Sequence, residues 1–203
     1  MGKVLDFKKQ PQFSRNYKNS MVLNGINATQ IGFNYYCGKD GFPFDKNMAF
    51  KYFSMGADLG CPEAAWIIGY LYLTGDIVEQ NIKKGISILE KECRKNNMIA
   101  LAYMSKYYEF GHYVKVDTEK AIRYYLKIKM IGDMNIDRFK YHSDYIKASK
   151  KLFKYFYDRK EYRKALFMLN GLENDFWKKY HIWLIKNKLK LNRKHESYYQ
   201  IAF

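Results

Sequence analysis

The feature that most limits what this chain can fold into is a spaced pattern that occurs three times. Ala28-x-x-Ile31-Gly32-x-x-Tyr35-x-x-Gly38 is followed by Ala65-x-x-Ile68-Gly69-x-x-Tyr72-x-x-Gly75, and then by Leu101-x-x-Met104-Ser105-x-x-Tyr108-x-x-Gly111. The steps between them are 37 and 36 residues. Within each copy, small and apolar residues recur at the three-and-four spacing of one helix face. The closing glycine stands where a helix ends in the left-handed conformation. Self-similarity at such a period is the mark of a repeat array, in which each unit buries its apolar face only against its neighbours.

Each copy has a second half. After a turn, a small residue recurs as Ala49, Gly85 and Ala121, spaced 36 and 36 apart. Asp45, Asn81 and Asp117 stand four residues before it, where a side-chain oxygen can cap a second helix. Two antiparallel helices per repeat follow, the small residues letting their backbones approach. A fourth pair is expected at about 144–171, with Tyr162 and Ala165 in its second helix and Asn170-Gly171 closing it. Residues 172–203 read as a terminal cap, helical from Asp175 to about Lys190, covering the last apolar face with Phe176, Tyr180, Trp183 and Leu184. Residues 1–23 read as a basic arm, with helical pattern starting near Asn24 or Asn27. No stretch alternates convincingly enough for a strand, so the expected class is all-α.

Three prolines and an aromatic share of 18% in 203 residues argue for a folded chain. No stretch approaches the 18 or more apolar residues of a membrane span. The first residues have no apolar signal core, which predicts a non-secreted, cytoplasmic protein. Three cysteines, Cys37, Cys61 and Cys93, form no CxxC pair and fit reduced thiols in packed positions. The net charge of +16 is concentrated toward the C-terminus: residues 138–203 carry +11 of it. Such a field favours acidic partners.

The repeated pattern resembles the Sel1-like repeat family, relatives of tetratricopeptide repeats. The resemblance rests on Ala28, Gly32, Tyr35, Gly38, Asp45, Ala49, Gly56, Ala57 and Gly60 in the first copy. Gly69, Tyr72, Gly75, Val78 and Lys84 carry it in the second, and Tyr108, Gly111, Val114, Asp117, Lys120 and Ala121 in the third. It covers roughly 24–136, giving repeats at about 24–60, 61–97 and 98–136. Ser105 for Gly, Gly85 for Ala and Asn81 for Asp are its departures. It implies a right-handed α–α superhelix of about four helix-turn-helix repeats with a C-terminal capping helix. Some secreted relatives carry a disulfide between cysteines eight residues apart, but the residue eight after Cys93 is Leu101.

The resemblance also implies a function that lives on the concave surface, lined by the first helix of each pair. The groove positions carried over are Thr29, Phe33 and Tyr36, then Trp66, Tyr70 and Leu73. Ala102, Lys106 and Glu109 follow, and Lys150, Lys154 and Tyr157 complete the set. Of these, Phe33, Tyr36, Trp66 and Tyr70 are the expected apolar anchors, and Lys106, Lys150 and Lys154 the contacts to an acidic segment of a protein partner. The alternative partner is nucleic acid, held by Lys178, Lys179, Lys186, Lys188, Lys190, Arg193 and Lys194 with Trp177, His181 and Trp183 interleaved. An uncapped repeat face could also pair two chains. Catalysis has no candidate: His112, His142, His181 and His195 are dispersed, the glycines stop helices rather than cradle phosphate, and no Ser or Cys has a nucleophile context. No metal or cofactor is expected.

Overall fold

A computed structural model describes the backbone of residues 15–139 and 142–200, and side chains over 23–138 and 142–189. The described residues form helices without strands: α1 (Arg15–Cys37), α2 (Lys46–Asp58), α3 (Pro62–Thr74), α4 (Ile82–Arg94), α5 (Met98–Phe110), α6 (Thr118–Met134), α7 (Ile136–Phe139), α8 (Ser143–Asp158), α9 (Tyr162–Met168) and α10 (Phe176–Gln200). They are arranged as helix-turn-helix repeats, as the sequence pattern predicts. The chain divides into two compact units, residues 1–100 and 101–203, the boundary falling in the first turn of α5.

The recurring residues make the same bonds in each repeat. The carboxylates of Asp45 and Asp117 and the Asn81 carbonyl accept the backbone N–H of Met48, Lys120 and Lys84 at 3.0, 2.8 and 2.9 Å. Each satisfies one of the amides a helix start leaves open. The backbone N–H groups of Asp45, Asn81 and Asp117 themselves donate to the carbonyls of Tyr35, Tyr72 and Tyr108 at 3.0, 2.8 and 2.9 Å, closing the turn. Twelve residues after the tyrosine, Lys84 and Lys120 donate to the Tyr72 and Tyr108 hydroxyls at 2.7 and 2.5 Å. Their ammonium groups also lie 4.0 and 4.1 Å from the ring centroids, within cation–π range. In the first repeat the turn is one residue longer and Met48 stands at the lysine's place, three after the capping Asp45; there Tyr35 stacks on Tyr52 instead, centroids 5.6 Å apart.

In the first unit, Ala49, Phe53, Ile67 and Leu71 form a buried cluster that draws in Phe33, Tyr35, Tyr36 and Trp66. The close approach of α3 and α4 needs glycine on both sides. A Cβ on Gly69 would lie 2.8 Å from a Leu89 methyl, and one on Gly85 would lie 2.8 Å from the Gly69 carbonyl oxygen. Gly75 ends α3 at φ +72°, its N–H donating to the Leu71 carbonyl.

In the second unit the core includes Ile128, Tyr145, Leu152, Ala165, Leu169 and Ile185. Its polar centre is Lys129, whose side chain is 3% exposed and paired with Asp133. The ammonium also donates to the Tyr145 hydroxyl at 3.1 Å and the Asn170 carbonyl at 2.9 Å. Burial pulls the Lys129 pKa down, and the bond to Asp133 opposes that pull. Three acceptors for three N–H donors make this ammonium a strut joining α6, α8 and the end of α9.

Two helix boundaries differ from the sequence reading. α1 starts at Arg15, upstream of the expected Asn24–Asn27, which lie inside the helix rather than capping it. Gly25, Ala28, Thr29 and Gly32 form a buried stripe at helical spacing, so packing against α2 and α3 carries the helix past the local signal. α10 extends to Gln200, beyond the expected end near Lys190. Its start is as expected, the Asp175 carboxylate accepting the Lys178 N–H at 2.8 Å.

The face that α10 buries is also not the expected one. Phe176, Tyr180 and Trp183 are 85, 47 and 59% exposed, whereas Ile185 is fully buried. Phe153 decides this: it receives Trp177 and His181 edge-to-face at centroid distances of 5.5 and 4.9 Å. That turns the 177–181–185 stripe inward.

Candidate functional site

Phe33, Tyr36, Trp66 and Tyr70 come together on the first helices of the first two repeats. With Phe53, Ile67 and Leu71 they line a small recess of about 120 Å³. Trp66 and Tyr70, one turn apart on α3, stack at 5.5 Å, and Phe33 meets Phe53 edge-on at 5.1 Å. At the rim the Tyr36 hydroxyl donates to Asp76 at 2.5 Å, and Lys46 pairs with the same carboxylate at 2.6 Å. The bond to Asp76 is the main cause pushing the Tyr36 hydroxyl up to about 12. The Lys46 and Tyr36 bonds hold the Asp76 carboxyl below its ordinary value. Sequence reasoning passed over Lys46 and Asp76, since their pairing depends on two turns meeting.

Two residues carried over as groove positions are core instead. Thr29 is 2% exposed, donates to the Gly25 carbonyl at 2.7 Å and faces Gly56. Leu73 is fully buried beside Gly85. First helices of an array are covered on two sides, so a single register shift separates a lining residue from a packed one.

In the second unit, Lys106, Lys150 and Lys154 border a recess of about 350 Å³ between α5, α6 and α8. Its floor includes Ala102, Ser105 and Ile128, and Phe110 forms part of the wall. Lys147 and Lys151 add to the rim. Residues 147, 150, 151 and 154 lie three and four apart on one helix face, and the sequence reading names only Lys150 and Lys154 of the four. Glu109 accepts from the Tyr125 hydroxyl at 2.7 Å and pairs with Lys151. Burial, then the Glu109 bond, raises the Tyr125 pKa. Lys150 lies 4.7 Å from the Trp177 ring centroid, and Lys154 pairs with Asp158 one turn on, at 2.9 Å. Tyr157 does not line this recess; its ring packs on Phe153 and Tyr162, each at 5.6 Å.

The C-terminal lysines are divided. Lys179, Lys186 and Lys188 are exposed, while Lys178 reaches back to the Leu172 carbonyl at 2.8 Å. Lys190, Arg193 and Lys194 lie outside the residues whose side chains are described. Trp177 and His181 pack on Phe153, so of the three rings expected to interleave with the lysines only Trp183 is exposed. His142 caps α8 by accepting the Asp144 N–H at 3.3 Å.

Comparison with known proteins agrees with the recurring bonds. The Sel1 repeat matches three consecutive segments, 28–61, 62–97 and 98–133, together more than half of the chain. The chain belongs to the Sel1 repeat family. Members of this family are in general protein–protein interaction scaffolds. Among solved structures, a Sel1 repeat protein from Oxalobacter formigenes is 24% identical, with a TM-score of 0.47, covering 58% of this chain and 86% of that one. The protective antigen c5321 of uropathogenic Escherichia coli, with an SLR fold, is 16% identical with a TM-score of 0.47. That match covers 88% of this chain and 49% of the antigen. Helicobacter pylori cysteine rich protein B is 16% identical with a TM-score of 0.42, over 59% and 92%. No curated protein sequence matches the chain.

Proposed function

We propose that this Sel1 repeat protein is a non-enzymatic interaction scaffold whose first-helix side chains receive a partner segment with apolar anchors and acidic residues. The observation that carries this reading is the recess of the second unit. It has an apolar floor, a volume of about 350 Å³ and a rim that includes five lysines. A cavity of that size accepts a large apolar side chain, and the rim cations then lie over a flanking carboxylate. In the first unit, Trp66 and Tyr70 supply the aromatic contact, the residue types that most often dominate interface energetics. The mechanism is equilibrium binding to preformed surfaces, which avoids the entropy of ordering the scaffold.

The test is capture of partners from native cells by tagged wild type, Trp66→Ala and the double substitution Lys150→Glu/Lys154→Glu, each with and without nuclease. The expected result is a defined protein partner that survives nuclease and is lost from both variants while their helical content stays at the wild-type level. Equal recovery by all three proteins, or recovery that vanishes with nuclease, refutes the reading. Melting of the Trp66→Ala protein makes Trp66 a core residue and removes it from the site.

A further inference from the structure

Phe176, Tyr180 and Trp183 follow one another along α10 at the four-and-three spacing of a single helix face. Their rings form a continuous stack: Phe176 to Tyr180 at 6.5 Å and 17°, Tyr180 to Trp183 at 6.3 Å and 27°. All three are exposed, at 85, 47 and 59%. At 3.6 residues per turn they lie within about 60° of one another and roughly opposite the fully buried Ile185. The helix is thus clamped by one face and presents the other. Exposed Lys179 and Lys186 run along one flank of the rings, and exposed Lys188 lies on the other. No Asp or Glu occurs from residue 176 to 195.

We infer that this face of α10 is a peripheral docking surface for an anionic lipid bilayer. An exposed strip of aromatic rings with lysines on its flanks is the composition that lies in a membrane interface. The lysine stems allow the ammonium groups to reach headgroup phosphates while the rings enter the acyl boundary. Other occupants fit less well. Bases need free ring faces to stack on, and here Tyr180 has Phe176 on one side and Trp183 on the other. A second copy of the chain would bring the same lysines against each other with no carboxylate on this face to pair them. Among the described residues no helix is long and apolar enough to cross a membrane, so the contact is made from the surface.

The test is co-sedimentation of the full chain with vesicles of phosphatidylcholine containing 30 mol% phosphatidylserine, against vesicles of phosphatidylcholine alone. Two variants, Tyr180→Ala/Trp183→Ala and Lys179→Glu/Lys186→Glu, change exposed side chains only, and circular dichroism checks that they stay folded. The expected result is binding to the anionic vesicles, weakened about tenfold or more by either variant. Absence of wild-type binding overturns the inference. So does wild-type binding that the ring substitutions leave unchanged, since charge alone would then explain it. Retention of an oligo(dT) probe that depends on the same rings, without vesicle binding, assigns the face to single-stranded nucleic acid instead.

Discussion

Gly85→Ala is the substitution that the repeat pattern itself recommends, because Ala49 and Ala121 hold the equivalent positions. In a helix interior alanine is favoured over glycine by about 1 kcal/mol, so the pattern alone foresees a gain. The packing foresees a loss. A Cβ at Gly85 would lie 2.8 Å from the Gly69 carbonyl oxygen and 2.7 Å from a Leu73 methyl. The methyl can turn aside, but the carbonyl is held in α3, so α3 and α4 would have to separate. Overpacking typically costs about 1–3 kcal/mol. A backbone contact belongs in the upper part of that range, leaving a net destabilisation of about 1–2 kcal/mol after the helix gain. Amide hydrogen exchange of α3 and α4 reads this locally, and the opening should become about 5 to 30 times more frequent. Ala49→Gly is the companion measurement. Ala49 is fully buried, so removing its methyl should also destabilise, by about 1–2 kcal/mol. Slower exchange in Gly85→Ala would refute the reasoning and show that the α3–α4 contact is looser than its geometry.

Lys129→Ala removes the ammonium that bridges Asp133, Tyr145 and the Asn170 carbonyl and leaves a void where its stem packed, while the Tyr145 hydroxyl still donates to Asp133 at 2.6 Å. It should cost about 2–3 kcal/mol in urea unfolding. Lys129→Met keeps the stem's volume and relieves the buried ammonium, so it should cost less; the reverse order would contradict the strut assignment. Asp76 titrates below its ordinary value when folded, so its contribution to stability is present above about pH 4 and is lost as pH falls through that lower value. Lys46→Met removes the main cause of that shift. Its stability should lie below wild type by no more than about 1 kcal/mol at neutral pH, with the two curves converging in acid; a gap that persists in acid would show that Lys46 acts through packing.

The fold class, the repeat spacing, the caps of the second helices and the glycines that close the first helices were legible in the chain because they rest on local chemistry. Asp45, Asn81 and Asp117 each cap a helix three residues away, and Gly75 needs only its own φ. Phe33 with Tyr36, and Trp66 with Tyr70, were legible as pairs because residues three and four apart on one helix share a face; that both pairs line one recess depends on how their helices pack. Contacts between helices decided the rest. The buried stripe 25–28–29–32 carries α1 past the asparagines that locally resemble its start. Phe153 chooses Trp177 and His181 as its partners and so leaves Phe176, Tyr180 and Trp183 outside. Lys129 reads as one more surface lysine until Tyr145 and Asn170 close over it. Helical periodicity limits which side chains share a face, but the direction of that face is set by the neighbouring helix, whose distance and angle no short stretch of sequence contains.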